Sequence, residues 1–199
     1  MTAGKRRLLR FGALFLPLFV ILSWPFGWVG RGYRSLVCGA VNGWVLKSTQ
    51  TSRVARLVAD RRPDAEWHAV YVVWNQVEKS TEEQFDIDIH QLFYLPTAFF
   101  AALTVAARFT LKGKPMVAKL LLGIALLQLR GMLPFMAQER AVIGVANHGW
   151  FDPALLLIIQ IVVKPLGMAY ALPLFLWFGF FRRSVLSTSS QPADSTPSR

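Results

Sequence analysis

Apolar and polar residues are segregated into long blocks along this chain, and the apolar blocks have the length of membrane helices. The blocks cover residues 11–30, 92–107, 115–137 and 153–181. A helix needs about 20 residues to cross the hydrocarbon core of a bilayer. We therefore predict an α-helical integral membrane protein with about four transmembrane helices.

The last apolar block is longer than one crossing requires, and it contains a break at Lys164 and Pro165. Counting about 20 residues back from Arg182 puts Lys164 near the far membrane interface. We predict a long kinked helix over 153–181 that includes the fourth crossing. Residues 153–163 belong to that helix, form a re-entrant segment or lie at the interface, and the sequence leaves these three alternatives open.

The region between the first two blocks, residues 31–91, has two periodicities. Its first part predicts an amphipathic helix at the membrane surface, because apolar residues recur at helical spacing: Tyr33, Val37, Ala40, Val41, Trp44 and Val45. Residues 67–77 are β-branched and aromatic, and apolar and polar residues alternate strictly over 85–90. With turns at 61–64 and 79–81, we predict a small α+β insertion whose short antiparallel sheet needs support from the membrane helices.

Positive charges flank the apolar blocks and predict the orientation. Lys and Arg cluster at residues 5–10, 108–119 and 182–183. Basic residues next to membrane helices stay in the cytoplasm. All three clusters give the same orientation, so both termini are predicted to face the cytoplasm of a bacterial inner membrane.

This orientation assigns a side to every connecting segment. The basic N-terminus 1–10 and the loop 108–114 are predicted to be cytoplasmic, whereas 31–91 and the loop 138–152 are extracytoplasmic. The tail 182–199 is rich in Ser, Thr and Pro, a composition that predicts a disordered cytoplasmic segment.

Composition supports the membrane interpretation. Hydrophobic residues make up 54% of the chain and charged residues only 17%, with a mean hydropathy of +0.39, whereas about a quarter of an ordinary soluble domain is charged. The net charge of +11 is carried by residues that flank apolar segments, so membrane lipids are the predicted partners and nucleic acid is not. The single cysteine, Cys38, excludes an intrachain disulfide and leaves its own role open.

Arg130 is the costliest residue in the predicted membrane segments. It lies roughly 16 Å beyond Lys119 along a helix, more than halfway across the apolar core. A buried arginine there requires a partner. We predict Asp86 or Asp88, or carbonyls freed by Pro134, with snorkelling to the interface as the alternative.

Two groups of polar residues are candidate catalytic or metal-binding sites. His148 and Asp152 are similar to the His and Asp of the glycerolipid acyltransferase signature, but their spacing is one residue shorter and no Phe-Pro-Glu-Gly block is present. A structural contact is therefore favoured over catalysis. His68 and His90 could bind a metal together with Asp86 and Asp88 only if the strands brought them together, so we predict no metal and no cofactor.

The segment from Asp86 to Pro96 is a predicted strand that runs directly into a membrane helix through Leu-Phe-Tyr-Leu-Pro. This junction resembles that of small exosortase-associated integral membrane proteins, of the exosortase H-associated type. An N-terminal anchor, a short extracytoplasmic β-containing region and a Leu-Pro-rich last helix closed by Arg182 and Arg183 resemble the same family. The resemblance implies an accessory of a membrane system that sorts proteins by a C-terminal tail, with an exosortase-type transpeptidase or its substrates as partners and no catalysis by this chain.

Three hypotheses follow. The first is a non-enzymatic, multi-pass accessory protein that binds a partner through its outer region. The second is an acyltransferase-like or other lipid-modifying enzyme that uses His148 as base and Asp152 to orient it. The third is a transporter subunit with Arg130 as an anion site.

Overall fold

The structure is a computed structural model that describes residues 3–46, 53–60, 62, 65–110, 116–143, 157 and 168–187. The described residues form five α-helices: α1 (Ala3–Ser23), α2 (Gly27–Ala40), α3 (Leu95–Thr110), α4 (Met116–Ile143) and α5 (Met168–Ser187). Three strands are β1 (Arg53–Ala59), β2 (His68–Asn75) and β3 (Ser80–Asp88), and π-helical turns cover Val41–Val45 and His90–Tyr94. The predicted combination of helices with a small antiparallel sheet is confirmed.

The predicted first transmembrane helix over 11–30 differs from the structure, in which the chain bends after Ser23. The axes of the two helical parts, Leu8–Ser23 and Gly27–Val45, differ by 73°. The bend follows from Pro25, which has no N–H for a helical hydrogen bond and disfavours helical geometry in the residue before it. Helix α2 therefore starts a new direction, away from α1.

Helix α2 confirms the predicted amphipathic helix, with one difference at Trp44. Val37, Cys38 and Val41 are buried, but Trp44 is 76% exposed. In the π-helical turn the N–H of Leu46 donates to the carbonyl of Val41, five residues back instead of four. Because this turn is wider, Leu46 follows Val41 on the buried face and Trp44 points outward.

The sheet is an antiparallel meander in the order β1-β2-β3. Alternate side chains face inward, and the register pairs Leu57 with Tyr71 and Tyr71 with Phe85. Between β2 and β3, the side chain of Asn75 accepts hydrogen bonds from the N–H groups of Val77 and Glu78, and the tight turn holds Lys79 at φ 52°. The inner face of the sheet thus becomes one side of a buried core.

That core, here called the sheet-side core, combines the sheet with α2 and with the ends of two long helices. Two phenylalanines complete this core on the side opposite the sheet. They are Phe93, in the π-turn before α3, and Phe135, in the second half of α4. Its buried members are Val37, Cys38, Val41, Leu46, Ala55, Leu57, Ala69, Tyr71, Val73, Ile89, Phe93 and Phe135.

The long helices α1, α3, α4 and α5 pack side by side, with successive helices antiparallel. Phe11 of α1 contacts Trp177 of α5, and Phe19, two turns later, contacts Tyr170. A second cluster, here called the bundle core, fills the space between them; its buried members are Phe100, Leu103, Ala107, Leu127, Trp177 and Phe181.

Helices α3 and α4 approach each other closely because two glycines of α4 face aromatic rings. A Cβ atom on Gly123 would overlap the ring of Phe100, and one on Gly131 would overlap the ring of Phe93. Both rings are fully buried. Small residues that admit a neighbouring helix are typical of packing inside membranes.

Two of the described helices, His90–Phe109 and Val117–Glu139, are long and apolar enough to cross a membrane, and a third span is counted if the bent pair α1 and α2 forms one. The apolar part of α5, Tyr170–Phe181, is shorter. The described helices are thus compatible with a protein that crosses the membrane two or three times. The predicted number of four crossings is not shown by them.

Three helix ends also differ from the predicted bounds. Helix α3 includes residues 108–110 of the predicted basic loop, and α4 continues through 138–143, where a loop was expected. Gln138, Glu139 and Arg140 are good helix formers and extend α4 beyond its apolar part. Helix α5 runs on to Ser187 because no Gly or Pro lies between Phe181 and Ser187 to end it earlier.

Candidate functional site between the sheet and the helices

The π-helical turn that continues α2 fastens the edge of the sheet through one side chain. The side-chain amide of Asn42 donates to the carbonyl of Leu57 and accepts from the N–H of the same residue, both at 2.8 Å. Asn42 thereby imitates a neighbouring strand at the middle of β1. An edge strand whose backbone groups are satisfied in this way is protected against pairing with another chain.

Arg34, two turns earlier in α2, holds the connection between β1 and β2. Its Nη1 atom donates to the carbonyls of Asp60, Ala65 and His68 at 2.8, 2.6 and 3.2 Å. Next to it the ring of Trp67 lies against Gly30, where a Cβ atom would come within 2.7 Å of the ring. The connection is therefore fixed on α2 by a cation and by close packing.

An open cleft of about 480 Å³ lies where this connection meets α2. It is lined by Arg31, Arg34, Val58, Ala59, Asp60, Arg62 and Glu66. Arg62 donates to Asp60 from Nε at 2.7 Å and from its backbone N–H at 3.0 Å. These bonds hold the pKa of Asp60 below its usual value, so Asp60 is a carboxylate that offsets the charge of Arg62.

A chain of hydrogen bonds joins α2, α4 and α3 beneath the sheet. The hydroxyl of Tyr33 donates to Gln128 at 2.9 Å, Gln128 donates to the hydroxyl of Thr97 at 2.8 Å, and Thr97 donates to the carbonyl of Phe93 at 2.8 Å. All donors point in one direction, and such chains polarise and strengthen one another. The chain fixes the position of α2 on the two long helices.

Arg130 lies on the same level, and the structure buries it to 5% exposure. One of its contacts is the carbonyl of Leu92, 3.5 Å from Nη1. The residue four positions after Leu92 is Pro96, which has no N–H to offer this carbonyl. The proline near Arg130 that matters for this contact is thus Pro96 in α3, whereas the sequence prediction considered Pro134 in α4.

Asp86 and Asp88, the predicted acidic partners of Arg130, contact other residues in the described part of the chain. Asp86 is exposed and lies 3.5 Å from Arg62, and Asp88 accepts a hydrogen bond from the N–H of Gln91 at the start of the π-turn. Both side chains belong to the outer half of the molecule. They act there as surface charges and as a cap.

The remaining predicted site residues divide into two groups. His148, Asp152 and Lys164 lie outside the described residues. His90 donates from Nε2 to the carbonyl of Ser23 at 2.9 Å, and His68 pairs with Asp88 across the outer face of the sheet. Within the described ranges, no three His, Cys, Asp or Glu side chains are grouped to hold a metal ion.

Among the residues that hold this site together by hydrogen bonds, Arg34, Asn42 and Gln128 are absent from the sequence prediction. Gln128 has a visible signal, because it is an uncharged polar residue inside the apolar block 115–137. Asn42 follows Val41 in an amphipathic segment, where a polar residue beside the buried face can reach a neighbouring element. Arg34 has no comparable signal, since its carbonyl partners are far away in sequence.

Comparisons with protein-family models, with curated proteins and with solved structures find no match for this chain. The similarity to exosortase-associated membrane proteins therefore stays a prediction from residues 86–96 and from the order of the segments.

Proposed function

We propose that this chain is a non-enzymatic, multi-pass membrane protein that binds a partner membrane protein through the outer face of its sheet. One observation carries the proposal: the inner face of the sheet is fixed in a core with α2, α3 and α4, while Val58, Trp74 and Asp86 on the outer face are exposed among the described residues. Asn42 and Arg34 hold this arrangement by hydrogen bonds to the backbone. A rigidly mounted sheet with a free face is suited to present a binding surface, because little conformational freedom is lost on binding.

The proposal includes four crossings of a bacterial inner membrane, with both termini in the cytoplasm. Contacts at one end of the bundle support it. Lys119, at the start of α4, donates to the carbonyl of Phe180 in α5 at 2.8 Å, and Phe11 of α1 contacts Trp177. The basic residues therefore gather at the bundle end opposite the sheet, as the positive-inside rule requires; exposed members are Lys5, Arg6, Arg10 and Arg108.

The outer face of the sheet has an apolar centre and opposite charges at its two edges. Cross-strand pairs bring Val58 next to Val70 and Val54 next to Trp74. Arg56 is exposed on β1, and Asp86 and Asp88 project on the same face from β3. The surface fits a partner with an apolar patch, an acidic group facing β1 and a basic group facing β3.

The partner proposed is a membrane transpeptidase of the exosortase type, which rests on the resemblance of residues 86–96. The test uses the full chain and the exosortase-type enzyme of the same cell, both purified in detergent. Trp74→Ala removes the aromatic anchor of the outer face, which is 42% exposed. We expect it to weaken binding roughly thirtyfold, a loss typical of an aromatic hot spot.

Trp44→Ala is the matched control, because Trp44 is also exposed but lies on the π-turn after α2 and not on the sheet. It should bind like the wild-type chain. A reporter that fluoresces only in the cytoplasm, fused after the last residue of each full-length variant, checks that all three chains are inserted in the same orientation. Equal binding by all three chains would refute the outer face as the site, and failure of the wild-type chain to bind would refute the transpeptidase as the partner.

A further inference from the structure

Of the three arginines that line the cleft, Arg31 is the one whose guanidinium group makes no hydrogen bond or ion pair with another described residue. Its side chain is exposed. Arg62 is bonded to Asp60 and lies near Asp86, and Arg34 donates to backbone carbonyls. Arg31 follows Gly27 by four residues, so it faces the cleft from the first turns of α2.

The two carboxylates of the cleft do not offset Arg31. Asp60 accepts its hydrogen bonds from Arg62. The carboxylate of Glu66 lies against Gly27, in the first turn of α2, where the unpaired N–H groups and the dipole of the helix favour a negative charge. Arg34 has only uncharged carbonyl partners. The side of the cleft formed by Arg31 and Arg34 thus keeps a positive charge.

The cleft also lies next to residues that are typical of a membrane interface. After Arg10 the exposed side chains of α1 are apolar as far as Val20 and Ile21, and three exposed aromatic residues follow: Trp24, Phe26 and Trp28. Aromatic residues of this kind mark the headgroup level of a bilayer. Arg31 comes one helical turn after Trp28 in α2, so it lies close to these aromatic residues.

We propose that the cleft beside Arg31 and Arg34 binds the phosphate group of an anionic phospholipid from the surrounding membrane. An apolar helix surface, exposed aromatic residues and Arg31 follow one another along the chain, and a phospholipid offers an acyl chain, an interfacial region and a phosphate that suit them. A guanidinium group can donate two parallel hydrogen bonds to a phosphate. The cleft of about 480 Å³ has room for a headgroup, and its binding is independent of any protein partner.

The test measures binding of short-chain lipids to the full chain in a neutral detergent. The probes are dihexanoyl phosphatidylglycerol, dihexanoyl phosphatidylcholine and inorganic phosphate. We expect phosphatidylglycerol to bind most tightly, because the choline group of the second lipid is repelled by the arginines. Arg31→Gln should weaken phosphatidylglycerol binding roughly tenfold, the usual effect of losing hydrogen bonds to a charged group.

Two further variants make the outcome specific. Arg31→Lys keeps the charge but loses the two parallel donors, so its binding should lie between those of the wild-type chain and Arg31→Gln. Arg53→Gln removes a charge from an exposed arginine outside the cleft and should bind lipid like the wild-type chain. The proposal is overturned if Arg53→Gln loses as much affinity as Arg31→Gln, if Arg31→Gln loses none, or if inorganic phosphate binds as tightly as phosphatidylglycerol.

Discussion

The sheet-side core and the bundle core achieve close packing in different ways. In the sheet-side core, a polar side chain completes the structure, because Asn42 takes the place of a missing strand beside Leu57. In the bundle core, complementary shape does so, with the ring of Phe100 against Gly123. Helices inside a bilayer gain little from burying apolar surface and associate through close contact, whereas a sheet beside water must satisfy its edge.

The two cores differ in the kind of substitution that they tolerate. Added volume should damage the bundle core most, and loss of a polar group should damage the sheet-side core most. The two regions meet where Phe93 lies against Gly131 and where Tyr33 is linked through Gln128 to Thr97. Helices α3 and α4 belong to both regions. Substitutions away from this junction therefore separate the effects on the two cores best.

Gly123→Ala should produce the largest loss of stability. The added methyl group would overlap the ring of Phe100, which is 0% exposed and belongs to the bundle core. Overpacking of this kind costs about 2–3 kcal/mol, which exceeds the gain of about 1 kcal/mol that alanine brings to a helix. Unfolding in mixed micelles of increasing denaturing detergent, followed by circular dichroism, measures the change.

Gly179→Ala in α5 is the matched control. Among the described residues, no atom outside the local helix backbone lies within 4 Å of the position that a Cβ atom would take there. Its stability should equal or slightly exceed that of the wild-type chain. If Gly123→Ala were as stable as Gly179→Ala, shape complementarity would not govern the bundle core.

Asn42→Ala should have the next largest effect, and it should act on the sheet. It removes both side-chain hydrogen bonds and leaves the N–H and carbonyl of buried Leu57 without this partner. The expected cost is about 2 kcal/mol. Hydrogen exchange of the β1 amides measures the opening of this strand directly.

Gly43→Ala, at the next position, introduces no contact within 4 Å and serves as the control. Exchange of the β1 amides should be faster in Asn42→Ala and unchanged in Gly43→Ala. Unchanged exchange in both would mean that apolar packing alone holds the edge of the sheet.

The sequence predicts the elements with strong periodicity and misses those that depend on tertiary contacts. Helices α3 and α4 follow from apolar blocks, and β3 follows from the alternation around Ile87. The break at Pro25 is not predicted, because apolar residues continue on both sides of it. Strand β1 has no clear signal either, since Arg53 and Arg56 interrupt its pattern.

The candidate site shows the same limit. A costly arginine at position 130 is predicted from the apolar block around it, and the structure buries it. Its contact with the carbonyl of Leu92 depends on how α3 and α4 are juxtaposed, which no local pattern encodes. Pro96 is the sequence signal for a free carbonyl, but its pairing with Arg130 requires the fold.

Cys38 can report whether the two regions open independently, and it gives the smallest expected change. Its side chain lies in the sheet-side core, and burial raises the pKa of the thiol. The thiolate is the form of cysteine that reacts with maleimides. Because the pKa is raised, a smaller fraction of Cys38 is thiolate at neutral pH than in a free cysteine. Labelling of Cys38 by a hydrophilic maleimide should therefore be slow and should become faster towards alkaline pH. As the only cysteine, it gives an unambiguous signal.

At pH 8, labelling of Cys38 should be faster in Asn42→Ala, because the sheet-side core opens more often once its edge is released. It should stay at the wild-type rate in Gly123→Ala, whose overlap is with Phe100 in the bundle core. Urea-unfolded protein provides the rate for a fully accessible thiol. Equal acceleration in the two variants would show that the sheet and the bundle open as one unit, and the contrast between the two cores would then describe their packing but not their stability.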